Sequence, residues 1–114
     1  MALFRLFLVI FFAILAIYTA IVIAHHGTGL LAVFFRDIAA MAWPGQFNFD
    51  FMGFLMLSAL WTAWRNNFSA GGLALAVLAG SLGMLFLAAY LLLLSFREKG
   101  NMRAVLLGAR RPDA

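Results

Sequence analysis

Residues 6–24 read LFLVIFFAILAIYTAIVIA, nineteen uncharged side chains in succession. At 1.5 Å per residue they make a helix of about 28 Å, close to the roughly 30 Å hydrocarbon thickness of a bilayer. Arg5, the apolar run and Val22-x-Ala24 also have the outline of a secretory signal. A signal's apolar region is normally about 7–15 residues, so the length predicts a retained membrane helix. Two further stretches extend the pattern. Residues 73–96 are 24 uncharged residues, about 36 Å of helix, and predict a tilted crossing. Residues 51–64 alone are too short; carried back to 47 they give 18 residues and about 27 Å, with Asp50 inside the span. Trp61 and Trp64 ahead of Arg65-Asn66-Asn67 mark where that span leaves the membrane, because indole rings favour the headgroup region.

The composition agrees with lipid as the solvent. Hydrophobic residues make up 67% of the 114 and charged residues 11%, against roughly 45–50% and about 25% in soluble domains. A chain this short has too little interior to hide that surplus from water. Cys is absent, which removes disulfides, thiol catalysis and thiolate metal sites. The expected fold class is therefore an all-α integral membrane protein of one domain, residues 1–114. It has three transmembrane helices plus a short interfacial or re-entrant helix in the first loop.

That extra helix is expected at 30–43, LLAVFFRDIAAMAW, too short and too charged to cross, with Pro44-Gly45 ending it. Between the second and third spans, RNNFSAGG (65–72) predicts a hairpin turn. Asn67-Phe68-Ser69 matches a glycosylation acceptor in form, but between two close spans it predicts turn and helix-cap chemistry.

Three crossings set the termini on opposite sides. Arg5 and Arg65 then face Arg36, Arg97, Lys99, Arg103, Arg110 and Arg111, so the C-terminus is predicted cytoplasmic and the N-terminus outside. The net charge of +4 is concentrated in the tail, 97–114, directly after a membrane helix. Anionic lipid is the nearest partner there, which argues against nucleic acid. Residues 104–107 are expected to lie on the membrane surface as a short helix.

Polar side chains are few enough to weigh singly. His25, His26, Arg36, Asp37, Gln46, Asn48 and Asp50 gather around the first loop. No H-x-x-x-H or E-x-x-H spacing occurs, so neither a metal site nor any cofactor is implied. His25 and His26 are expected to close the first helix at headgroup level. Asp50 is expected to cap the second helix, near its positive dipole end. The alternative is a proton or cation contact, with Arg36 or a histidine as partner. No nucleophile elbow, phosphate loop or dinucleotide fingerprint is present, so no independent enzyme is expected. In the third span Gly72, Ala76 and Gly80 recur every four residues, with Ala79 and Gly83 as a second small pair. Small residues let helices approach closely in lipid. This face packs against either a partner or the protein's own helices.

A lone first helix, the loop FFRDIAAMAWPGQFNFDF, a span ending ALWTAWRNN, and a last helix carrying AGSLG then SFRE together resemble uncharacterised small bacterial membrane proteins of three or four helices. The resemblance implies a bacterial inner membrane and supplies no catalytic residue. The expected function is that of a non-enzymatic accessory subunit docking onto a larger membrane complex, with lipids and other subunits, or itself, as partners. The alternatives are a small oligomeric proton or cation carrier using Asp50, and a membrane protein binding a hydrophobic cofactor or lipid.

Overall fold

Gly83 divides the last apolar stretch in two. In the computed structural model, which describes residues 1–108, the order is α1 (Ala2–His26), α2 (Leu30–Ala39), α3 (Trp43–Arg65), α4 (Ala70–Leu82), α5 (Met84–Arg97) and α6 (Met102–Leu107). The described chain is all-helical, as expected. The single rod expected over 73–96 is instead α4 and α5, joined through Gly83 at φ +62° and ψ −132°. L side chains rarely adopt that conformation, whereas glycine takes it at little cost.

At Gly83 the chain reverses. Going down α4, Gly72 lies against Asn66, Gly80 against Ala59, and Gly83 against Phe51 and Leu55, so α4 runs antiparallel to α3. Coming back along α5, Tyr90 meets Asn66 and Trp61, and Glu98 lies beside Arg65. The hairpin tip therefore sits part-way along α3, and α5 ends where α4 began.

Helix α3 is the spine of the fold and starts four residues before the expected position 47. Pro44, expected to end the preceding helix, stands in the first turn of α3. Proline suits that position because a first-turn residue has no helical partner for its N–H. The segment expected over 30–43 accordingly stops at Ala39. The turn between them passes through Met41 at φ +58°. Helix α2 then lies antiparallel along the first half of α3. Asn48 Nδ2 donates to the Phe34 carbonyl at 3.2 Å. Gly45 faces the backbone of Asp37 and Ile38 so closely that a Cβ there would collide with the Asp37 carbonyl.

Between α3 and α4, Ser69 caps the new helix, its Oγ accepting from Gly72 N at 3.0 Å. The triplet Asn67-Phe68-Ser69 thus sits in turn and cap, with Asn67 and Phe68 both at positive φ. Near the Arg65 end of the spine, Tyr90, Leu94 and Val105 form a buried cluster, with Trp61, Leu75, Phe86 and Leu91 packed around it.

Helix α1 packs along α5 in the opposite direction. Arg5 Nε donates to Ser95 Oγ at 3.0 Å, and Met1 lies against Gly100. The start of α1, the end of α3, the end of α5 and α6 all meet at the Arg65 end of the bundle. Three crossings would have set the start of α1 and the end of the last long helix at opposite ends; the reversal at Gly83 brings them to the same end instead. Among the described residues α1 is the one helix long and apolar enough to cross a membrane.

Candidate functional site

Among the described residues the charged and amide side chains collect towards the two ends of α3. At the Arg65 end the arginines are structural. The Arg65 side chain is 8% exposed and 4.0 Å from Glu98 Oε1. Its Nε donates to the Val105 carbonyl at 2.6 Å and its Nη2 to the Ala104 carbonyl at 3.2 Å. Trp61 Nε1 donates to the Leu106 carbonyl at 2.9 Å. The last carbonyls of a helix lack N–H partners in the next turn, so α3 supplies donors to the Val105 and Leu106 carbonyls and adds a second one to Ala104, whose carbonyl also accepts from Gly108 N at 2.8 Å. Arg5 does similar work on α5. Beyond its bond to Ser95 Oγ, its Nη2 donates to the Ser95 carbonyl at 2.9 Å, and its guanidinium lies 4.0 Å above the Phe96 ring. Asn66 ties the spine to the returning arm, donating from Nδ2 to the Thr62 carbonyl at 2.8 Å and to the Tyr90 hydroxyl at 2.9 Å.

The small-residue stripe faces inward. Gly72, Gly80 and Gly83 touch residues of α3 or the turn that follows it, Ala79 is buried, and Ala76 is half-buried. Of the two occupants open for this face, the protein's own spine fills the place. Arg97, Lys99 and Arg103 are exposed beside the end of α5 and on α6. Arg110 and Arg111 lie outside the described residues.

At the Trp43 end the expected polar site is not assembled. His25 and His26 are exposed at the C-terminal end of α1, their ring centroids 6.5 Å apart. Arg36 is exposed and Asp37 half-buried on α2. Among the described residues none of these forms an ion pair with Asp50, and no three metal-ligating side chains come together. Asp50 is not a cap. It is the eighth residue of α3, exposed, while the N-cap position belongs to Ala42, which makes no side-chain cap bond. The cap expectation fails because Pro44 moves the start of the helix back by a full turn. Asp50 instead borders an open hollow of about 890 Å³ between α2 and α3.

Two residues escaped sequence reasoning. Ser58 Oγ is buried without a hydrogen-bond partner in the middle of α3, while its carbonyl accepts from Thr62 Oγ1 at 2.8 Å. A lone serine in an apolar span carries no local signal of burial. Tyr90 pairs with Asn66 across 24 positions, and only the fold brings them together. Neither a family model, nor a curated protein, nor a solved structure matches this chain.

Proposed function

We propose that the chain is a small non-enzymatic subunit of a bacterial inner membrane, held in lipid and docked onto a larger membrane protein assembly. The observation that carries this reading is the surface of α1. Leu8 is its one buried residue, while Phe7, Ile14, Ile17 and Tyr18 are each more than half exposed. An apolar face of this size is untenable in water and is the hallmark of a lipid or protein contact. With the stripe of α4 occupied by α3, docking falls to α1.

The charge distribution supports an orientation. Arg5, Arg65, Arg97, Lys99 and Arg103 sit at one end against Glu98, and Arg36 stands near the other beside Asp37. Positive residues favour the cytoplasm, so both ends of the described chain are placed there. Helix α1, with 25 residues and about 38 Å, has the length and apolarity to cross, and α3, with 23 residues and about 35 Å, has the length. Helices α4 and α5 have 13 and 14 residues, about 20 Å each, too short for a 30 Å core. They form a re-entrant hairpin that enters and leaves by the cytoplasmic face.

The carrier reading is disfavoured by the position of Asp50, on an exposed face at one end of the spine rather than among the packed helices. A photoreactive residue at Ile14, on the outer face of α1, tests the docking role. In native membranes it is expected to give one discrete protein adduct. Adducts with lipid alone, from Ile14 and from Ile17, would contradict docking.

A further inference from the structure

The hollow at the Trp43 end is walled by Ile38, Met41, Trp43, Gln46, Phe49 and Asp50. It is an open concavity of about 890 Å³, with the Met41, Trp43 and Phe49 side chains largely exposed around it. Trp43, Gln46 and Asp50 are spaced at three and four residues, on one face of α3. The other side is Ile38, at the end of α2, with Met41 and Ala42 of the turn; α2 is held against α3 by the Asn48–Phe34 bond and the close approach at Gly45. One face of α3 and the turn that leads into it therefore shape the site.

Its one charged group is the Asp50 carboxylate, which among the described residues has no hydrogen bond or ion pair. The remaining walls are apolar or aromatic apart from the Gln46 amide. A carboxylate beside indole and phenyl rings suits an organic cation. The carboxylate neutralises it, ring faces attract it, and Trp is the strongest of those faces. Ile38 and Met41 take its hydrocarbon substituents. A hard metal ion would need several more oxygen ligands than this wall has, and an anion is repelled. We propose that this hollow binds a lipophilic organic cation, an ammonium or its equivalent with apolar substituents. Asp50 is the counter-ion and Trp43 the aromatic face. The site is independent of the docking role of α1.

Tetraphenylphosphonium, titrated calorimetrically into the detergent-solubilised full chain, is the test. Saturable one-site binding is expected. Asp50→Asn weakens it about tenfold or more, equivalent to about 1.4 kcal/mol, while Asp50→Glu keeps most of it. Trp43→Leu weakens it several-fold with the thermal transition unchanged, since Trp43 is 72% exposed. Triphenylphosphine oxide, neutral and of similar shape, binds at least about tenfold more weakly. Wild-type affinity in Asp50→Asn, or equal affinity for the neutral compound, overturns the proposal. Nanodiscs of equal phosphatidylglycerol content, filled with phosphatidylethanolamine or a neutral glycolipid, separate the sources. Weaker probe binding in the ethanolamine discs identifies a lipid headgroup as occupant, and equal binding identifies a free cation.

Discussion

Arg65→Ala is expected to lower unfolding stability by about 3–5 kcal/mol, the range for removing one partner from a buried charged network. The side chain is 8% exposed and bridges α3 to Glu98 and to two carbonyls of α6. Without it, the Ala104 and Val105 carbonyls lose the guanidinium donors that α3 supplies, and Glu98 loses its cation. Lysine rescues only partly, because one ammonium cannot reproduce the fixed fork of a guanidinium. Thermal unfolding in detergent reads the loss. Tryptic cleavage after Arg103 reads the cause, because α6 is released when its tether is gone. Unchanged stability together with unchanged cleavage would show that α6 is held by Val105 and its apolar neighbours alone.

Gly45→Ala carries the second large effect, about 1–3 kcal/mol of destabilisation, as for overpacking a tight contact. The added methyl would run into the Asp37 carbonyl, a backbone atom that cannot swing aside, so α2 must shift along α3. Gly53→Ala is the matched control. It lies in the same helix with nothing within 4 Å of its added Cβ, and alanine there is expected to gain up to about 1 kcal/mol of helix propensity. Thermal transitions of the two variants should therefore move in opposite directions. Equal shifts would mean that α2 does not rest on Gly45.

These positions show where the sequence is readable and where it is not. The length of the first apolar run announces α1, and Ser69 announces the start of α4, because a span and a cap are local properties. Pro44-Gly45 is ambiguous locally, since proline is at home both after one helix and in the first turn of the next. What decides is the contact of Gly45 with α2, which no window of sequence contains. Asp50 inherits that ambiguity, being a cap only if α3 begins late. Gly83 is hidden for another reason. It stands in a run of 24 uncharged residues, and its small size fits the packing stripe as well as it fits a turn. The tethers from Arg65 to Val105 and from Arg5 to Ser95 join positions 40 and 90 residues apart. Sequence-level charge counting reads those arginines as topology signals, and only the fold turns them into fasteners.

The return of the chain at Gly83 is what places the start of α1 and the end of α5 at one end of the bundle, and labelling single cysteines tests it most directly. The sequence has no cysteine of its own, so each introduced thiol reports alone. Ala2→Cys, Thr28→Cys, Leu82→Cys and Arg97→Cys, in sealed inner-membrane vesicles of each orientation, are treated with a membrane-impermeant maleimide. Ala2→Cys and Arg97→Cys are expected to react from the cytoplasmic face only, Thr28→Cys from the opposite face only, and Leu82→Cys from neither. Labelling of Ala2→Cys and Arg97→Cys from opposite faces, or of Leu82→Cys from the face opposite Arg97, would contradict the re-entrant hairpin.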